Sequence, residues 1–179
     1  GLINEGLCTR NVGRGIFVAQ HKIPMNMTYL EGTTQFFANA GVASTTRLVD
    51  IDVVVPPHTI AGHLCIAENA SCLRVIRVRY VDDCPVMLER AHVSPAALPL
   101  DREAVTGQSL YAAIAAHSGL QPKYARGHFN VVLAGETAAA HLDVPLDFAL
   151  LEKQTTVYGL DSAPIEYNIT TYRTDKFEF

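Results

Sequence analysis

Four strand-like runs, grouped in two close pairs, constrain the fold of this chain more than any other feature. The runs are rich in β-branched and aromatic residues, and they span residues 73–80, 86–93, 149–158 and 165–172. Asp82 and Asp83 stand between the first two runs and Gly159 between the last two, where such residues favour tight turns. Strands joined by connections this short lie side by side and run antiparallel.

Helical patterns are interspersed with further strand patterns along the rest of the main part of the chain. Strands are predicted at 47–55 and 124–133, and short helices at 35–40, 59–66, 109–117 and 136–142. Thr33 or Thr34 can cap the first of these helices. Because strands follow one another directly, we expect an α+β fold with an antiparallel sheet and not a doubly wound parallel sheet.

The composition excludes several classes of protein. The chain has 179 residues, enough for one domain with a small additional piece. Only 18% of the residues are charged and 49% are hydrophobic, which is not the composition of a disordered chain. A formal net charge of -4 argues against a surface that coats nucleic acid. No apolar run approaches the roughly 18 residues of a membrane span, so no membrane partner is expected.

The four cysteines have irregular spacings and form no Cys-x-x-Cys pair; they are Cys8, Cys65, Cys72 and Cys84. Disulfide frameworks belong mainly to short secreted chains, and zinc sites usually show closely spaced pairs of ligands. We therefore expect free thiols, a cytoplasmic location and no metal site.

The first 32 residues differ in pattern from the rest. Residues 1–19 contain two short strand patterns around a glycine-containing tip, which predicts a hairpin with Arg10 and Arg14 as its basic groups. Residues 20–32 lack a sustained period, which is typical of a linker. The main domain is then expected at residues 33–179.

Two arginines in one strand are the first candidates for binding. Side chains alternate between the faces of a strand, so Arg77 and Arg79 project from the same side. Paired guanidinium groups are suited to a bidentate grip on a carboxylate or phosphate. Glu89 lies on the return strand, where it can pair with one of them. The same pattern also fits a solvated charged face, and the spacing leaves both interpretations open.

The last strand repeats this polar pattern. Glu166, Asn168, Thr170 and Tyr172 share one face, while the opposite face is mostly apolar. A half-buried sheet with its polar face in solvent has the same pattern, so this interpretation also stays open.

Motifs of catalysis are missing from the sequence. It contains no Gly-x-Ser-x-Gly, His-Glu-x-x-His, phosphate loop or dinucleotide-binding motif. Asp82 and Asp83 fit a turn better than a general acid. His128 stands among apolar residues, which predicts a histidine in the core or in a pocket. We therefore predict no catalytic residue and no cofactor.

The N-terminal hairpin resembles the wing of the winged-helix DNA-binding domain of GntR-type regulators. It contains Glu5-Gly6-Leu7, Arg10 and Gly13-Arg14-Gly15-Ile16-Phe17-Val18, where the family commonly has Glu-Gly-Leu or Glu-Gly-Ile and later Gly-x-Gly-Thr-Phe-Val. Ile16 replaces the usual Thr.

Four stretches of the remaining chain, about residues 28–179, resemble the UTRA effector-binding domain of the HutC branch of that family. In the family's order, they are Arg77-Val78-Arg79-x-x-Asp82-x-x-Pro85-Val86-x-x-Glu89, Ser109-Leu110-Tyr111, Leu142-x-Val144-Pro145, and Pro164-Ile165-Glu166-Tyr167 followed by Tyr172-Arg173-x-Asp175-x-Phe177-x-Phe179. Asp83 stands where the family often has Gly.

The resemblance implies a fold like that of chorismate lyase, in which helices flank an antiparallel sheet and the effector lies between them. The effector-binding residues that it implies are Arg77, Arg79, Glu89, Tyr111, Glu166 and Tyr172. Relatives that bind sugar phosphates surround the phosphate with hydroxyls and helix N-termini, and the corresponding residues are Thr33, Thr34 and Ser109. The N–H groups at a helix start suit an anion.

The function implied is that of an effector-binding and dimerisation domain of a bacterial repressor. The small-molecule effector is expected to be an anionic metabolite with a phosphate, phosphonate or carboxylate group. The intact protein is expected to be a homodimer that binds operator DNA through a winged helix of which only the final part is present, with Arg10 and Arg14 touching the DNA backbone. Two alternatives are an enzyme of the chorismate-lyase type acting on a small aromatic acid, and a purely structural dimerisation module.

Overall fold

The computed structural model describes residues 8–11, 15–18, 22–25, 32–98, 100, 102–107 and 109–179. The strands are β1 (Cys8–Asn11), β2 (Gly15–Val18), β3 (Ile23–Pro24), β4 (Thr45–Val54), β5 (Cys72–Val81), β6 (Cys84–Val93), β7 (Tyr124–Leu133), β8 (Ala149–Tyr158), β9 (Pro164–Arg173) and β10 (Phe177–Glu178). The helices are α1 (Thr33–Asn39), α2 (His58–Leu64), α3 (Arg102–Gly107), α4 (Leu110–Ser118) and α5 (Gly135–Leu142), with a 3-10 turn at Pro95–Ala97.

Six long strands form one sheet in the order β4-β5-β6-β9-β8-β7, and every neighbouring pair is antiparallel. Helices α1, α3 and α4 pack on the face that carries Val75 and Met87, which we call the front face. Helices α2 and α5 pack on the opposite, back face. This arrangement confirms the predicted α+β fold with a flanked antiparallel sheet.

The turn between β5 and β6 is tighter than the sequence predicted. Val81 pairs with Cys84, so only Asp82 and Asp83 lie in the loop. Both have positive φ, 49° and 61°, which two-residue hairpin loops of this type require. Asp is among the few residues other than Gly that tolerate this conformation, which explains why Asp83 can stand in place of the family's Gly.

Apolar layers on both faces hold the helices to the sheet. On the front face, Ile114 of α4 packs with Val75 and Val93, and Phe37 of α1 packs with Met87. On the back face, Leu142 of α5 packs in one cluster with Leu88 of the sheet, and Leu64 of α2 packs in another with Tyr167 of the sheet. The centre of the sheet is therefore covered on both faces, and polar residues there lie out of contact with bulk water.

Several predictions at the element level need correction. Helix α1 begins at Thr33, and its N-cap is Gly32 without a side-chain cap, so neither Thr33 nor Thr34 caps it. Helix α3 and the 3-10 turn were not predicted. In the predicted linker, Ile23 and Pro24 pair in parallel with β10, and Ile23 is buried beside Phe37. A strand of two residues is too short to produce a strand pattern in the sequence, so the segment has the composition of a linker.

The N-terminal hairpin is confirmed as an element, since β1 and β2 pair antiparallel with Arg10 opposite Ile16. Arg14 and the side chain of Arg10 lie outside the described residues. Among the described residues, Cys65, Cys72 and Cys84 form no disulfide. Within the described ranges, no helix has the length and apolar character needed to cross a bilayer.

His128 is exposed, which corrects its prediction as a core or pocket residue. It lies on β7, the last strand of the sheet, away from Val132, where the apolar cluster of α5 reaches this strand. Apolar neighbours in the sequence therefore did not imply burial here.

Gly127 of β7 offers a test of the sheet. A Cβ atom at this position would lie 2.1 Å from the carbonyl oxygen of Gln154 on β8. We predict that Gly127→Ala lowers the free energy of unfolding by about 1–3 kcal/mol, because the two backbones must separate. At Gly62 in α2 an added Cβ meets nothing within 4 Å. Gly62→Ala should therefore raise the free energy of unfolding by up to about 1 kcal/mol. Urea unfolding measures both, and equal effects of the two variants would contradict this packing.

Candidate functional site

A row of polar side chains crosses the front face of the sheet. Strand register places Arg77 opposite Glu89, Glu89 opposite Thr170, and Thr170 opposite Lys153. Arg79 and Tyr172 lie one pair further along the same strands, on the same face. Two hairpins that are distant in sequence thus bring three cations and a carboxylate to one place.

Glu89 is the centre of this row. Nη2 of Arg77 lies 3.4 Å from Oε2 of Glu89, and Nε of Arg79 lies 3.6 Å from the same oxygen. Arg77 is 3% exposed, Arg79 4% and Glu89 1%, which excludes the solvated-face interpretation of the arginine pair. Both distances exceed those of good hydrogen bonds, and Nε of each arginine has no hydrogen-bond partner among the described residues.

The charges hold Glu89 ionised in spite of its burial. Burial raises the pKa of the Glu89 carboxyl. Arg77, Arg79 and the Thr33 hydroxyl together lower this pKa by more than burial raises it, so it lies below the ordinary value. Burial lowers the pKa of the Arg79 guanidinium, and Glu89 opposes this effect. The three groups therefore form a charged cluster whose members depend on one another.

The two threonines at the start of α1 bind this cluster in place of capping their helix. The Thr33 hydroxyl donates a hydrogen bond to Oε1 of Glu89. Nη2 of Arg79 donates one to the Thr34 hydroxyl oxygen over 2.8 Å. The N-terminus of α1 is thus attached directly to the arginine strand.

The N-termini of α1 and α4 meet beside the row. A Cβ at Gly32, the N-cap of α1, would lie 3.1 Å from Oγ of Ser109 and 3.2 Å from Cδ2 of Tyr111. Ser109 is the N-cap of α4, and its hydroxyl makes no capping hydrogen bond. The first N–H groups of a helix have no intrahelical partners, so two sets of backbone donors lie close together here.

Glu166 is a second buried carboxyl in the same region. It is 1% exposed, and burial raises its pKa to about 7, although Arg77 and the Tyr111 hydroxyl oppose the shift. The Asn168 amide donates a hydrogen bond to Oε1 over 3.3 Å, while Oε2 has no hydrogen-bond partner among the described residues. Burial and the neighbouring Glu166 raise the pKa of Tyr111 in turn, so its hydroxyl remains a donor at neutral pH.

These groups line a cavity of about 40 Å³ between the sheet and the two helix starts. It has room on the scale of about three water molecules. Its lining consists of Gly32, Thr33, Arg77, Arg79, Glu89, Ser109, Leu110, Tyr111, Lys153, Glu166, Asn168, Thr170 and Tyr172. All the predicted binding residues except Thr34 are in this lining, and Thr34 contacts it through Arg79.

Lys153 was not predicted as a binding residue. Its Nζ lies 5.9 Å from the centroid of the Tyr172 ring, and no ion pair joins it to another described residue. The only signal in the sequence is its parity on β8, which becomes informative once Lys153 is known to face Thr170. With Lys153, three cations face two carboxylates, of which Glu166 is partly protonated at neutral pH, so the lining is positively charged.

A family model named UTRA domain matches residues 39–178. The chain belongs to the UTRA domain family. Similar curated proteins include the repressor NagR of Bacillus subtilis, 25% identical over 99% of this chain and 73% of that protein. The regulator GgaR of Escherichia coli is 26% identical over 99% of this chain and 70% of that protein. NagR is named an HTH-type transcriptional repressor and GgaR an HTH-type transcriptional regulator.

Solved structures show the same fold. PhnF from Mycobacterium smegmatis superposes with a TM-score of 0.83 at 24% identity, over 99% of this chain and 78% of that one. YydK from Bacillus subtilis superposes with a TM-score of 0.75 at 22% identity, over 99% and 76%. The fold class of this UTRA domain is thereby shown.

Glu89→Gln tests how strongly the UTRA domain depends on the cluster. Removing one partner leaves buried charges unpaired, so we predict a loss of about 3–5 kcal/mol in the free energy of unfolding. Glu103→Gln in the exposed first turn of α3 is the control, with a change below about 1 kcal/mol. Urea unfolding at pH 7 measures both variants, and a loss at Glu89 no larger than the control would contradict a dependent cluster.

Glu166→Gln tests the second carboxyl through pH. Because the folded state binds this proton more tightly, with a pKa of about 7 against an ordinary value of 4.5, the carboxyl lowers stability progressively as pH rises from about 4.5 to 7. We predict that the free energy of unfolding of the variant, relative to that of the wild type, rises by about 2 kcal/mol between pH 5 and pH 8. Urea unfolding across this range measures the difference, and a constant difference would show that the folded carboxyl ionises normally.

Proposed function

We propose that this UTRA domain is the effector-binding domain of a GntR-family transcriptional regulator and that its cavity takes the anionic group of a small metabolite. The observation that supports this most directly is the buried row in which Arg77, Arg79 and Lys153 face the cavity with only Glu89 as a fully charged partner. A phosphate, phosphonate or carboxylate would complete that charge balance. Family membership supports the regulatory role.

The two helix starts add neutral donors for the same anion. The Ser109 hydroxyl and the first N–H groups of α1 and α4 lie beside the arginines, and helix N-termini favour negative charge. Glu166 and Asn168 lie further along the cavity. They would accept a hydrogen bond from a hydroxyl or amine on the rest of the effector, so we infer an anion that also carries such a donor.

Regulation would work through coupling. The effector must bind two arrangements of the protein unequally, since equal affinity shifts no equilibrium. Couplings of this kind are typically about 1–3 kcal/mol. We infer a cytoplasmic homodimer of the HutC branch that acts as a repressor on operator DNA, with the hairpin of residues 1–19 as part of a winged helix joined through residues 20–32.

Binding is tested first by thermal shift with inorganic phosphate, sugar phosphates, phosphonates and small carboxylates. A ligand at 100 times its dissociation constant adds about 2.7 kcal/mol of stability. A panel in which no anion raises the melting temperature, while the protein is folded, would contradict the proposal and favour a purely structural module.

Substitution of Lys153 then tests the site by calorimetric titration with the best anion of that panel. We predict that Lys153→Gln weakens binding by about tenfold or more, because it removes a cation of the cavity lining that forms no ion pair with a described residue. The exposed Lys123 is the matched control, and Lys123→Gln should leave the affinity unchanged. Arg77→Ala and Arg79→Ala should also weaken binding. Unchanged affinity in all three site variants would exclude this cavity as the binding site.

The enzymatic alternative has a separate assay. The curated relatives are named regulators, and we infer a regulatory role for this chain also. Incubation with chorismate should release no aromatic acid, and release at a useful rate would reverse this inference.

A further inference from the structure

The two carboxyls of the cavity, Glu89 and Glu166, are held in different ways. Both are 1% exposed. Arg77 and Arg79 lie 3.4 and 3.6 Å from Oε2 of Glu89, whereas no ion pair joins Glu166 to another described residue. A buried carboxylate without a paired cation is costly, and such a group usually takes up a proton. The fold therefore provides one carboxyl that stays ionised and a second that can be neutral.

The hydrogen bonds around Glu166 leave one of its oxygens for that proton. The Thr170 hydroxyl donates to Oδ1 of Asn168 over 3.2 Å, which orients the amide so that its NH2 group faces Glu166. This NH2 group donates to Oε1 of Glu166 over 3.3 Å, while Oε2 has no partner among the described residues. A proton on Oε2 would turn this unpartnered acceptor into a hydrogen-bond donor.

Four titratable side chains from other elements face Glu166, namely Arg77 of β5, Glu89 of β6, Lys153 of β8 and Tyr111 of α4. Arg77 has the largest effect of the four, and it favours the ionised carboxyl. Arg77 also lines the cavity in which an anion would bind. An anion bound to Arg77 offsets this effect and adds a negative charge of its own, and both changes favour a protonated Glu166.

The charge balance of the cavity leads to the same result. Three cations of the lining face one fully ionised carboxylate, Glu89, so a neutral Glu166 leaves a surplus of two positive charges. A dianion balances this surplus, whereas an ionised Glu166 would give the occupied cavity one excess negative charge.

We propose that Glu166 takes up a proton when the cavity binds its anion, so that the site holds a dianionic head group beside a neutral carboxyl. The protonation rests on the proposed function, because it requires an anion in this cavity. It adds the charge state of the effector and a coupling between effector binding and pH. By linkage, an anion that favours the protonated carboxyl binds more tightly when the carboxyl is already protonated.

Calorimetric titration of the full chain with sulfate tests the proposal, because sulfate stays a dianion around neutral pH and cannot itself carry the proton. Titrations in two buffers of different ionisation enthalpy give the number of protons bound with the anion. Since Glu166 has a pKa of about 7 before the anion binds, we expect an uptake of about half a proton at pH 7 and nearly one at pH 8. Binding without uptake, or with release of protons, would overturn the proposal.

Glu166→Gln tests whether this carboxyl binds the proton. The amide imitates the neutral acid, so the variant should bind sulfate without proton uptake and with the same affinity at pH 6 and pH 8. The wild type should lose about tenfold in affinity over that range, and the variant should therefore bind about tenfold more tightly than the wild type at pH 8. Glu103→Gln, at an exposed position of α3, is the matched control and should behave as the wild type. A Glu166→Gln variant that binds more weakly than the wild type at pH 8 would show that the ionised carboxyl is the binding form.

The results for the anion and for the proton separate this proposal from the proposed function. Anion binding without proton uptake contradicts only the protonation of Glu166. Binding of monoanions by a protein that does not bind sulfate likewise contradicts the dianionic head group and leaves the effector site standing. A folded protein that binds no anion contradicts both. The proton uptake of the wild type tests the proposal even where Glu166→Gln does not fold, which far-UV circular dichroism establishes.

Discussion

The buried contact between Glu89 and two arginines is the interaction on which the rest of the site depends. A charge in the interior is stable only when it is paired and hydrogen-bonded, and Glu89 meets this condition through Arg77, Arg79 and the hydroxyl of Thr33. The same contacts attach α1 to the centre of the sheet. The two arginines that line the cavity therefore also connect α1 to the sheet, and Nε of each has no hydrogen-bond partner among the described residues.

Much of the site could be predicted from the sequence because strand alternation is local. Arg77 and Arg79 share a face wherever the strand lies, and Glu166 and Tyr172 share a face for the same reason. Glu89 follows from the short turn at Asp82 and Asp83, which sets the register of the hairpin. Tyr111 and Ser109 were identified only through the resemblance to the UTRA family, because nothing in an isolated helix start indicates what it faces.

Other features could not be predicted, since they depend on how distant segments meet. Lys153 enters the site through the register of β8 on β9, which its own neighbours in the sequence do not encode. His128 was expected to be buried because its neighbours are apolar, yet β7 is an edge strand. Ile23 lies in a segment with the composition of a linker, and it is buried only because β10 provides a strand for it to join.

By itself, the sequence determined the α+β class, the antiparallel hairpins and the set of side chains that share each strand face, because these follow from backbone geometry over a few residues. The tertiary structure decided which of those faces is covered. Helices α1 and α4 come from segments far from the arginine strand, and their packing turns a charged face that could have been solvated into the lining of a cavity. Burial depends on what packs from elsewhere in the chain, and for this reason the alternation of residues in one strand left open whether the arginine pair is buried or solvated.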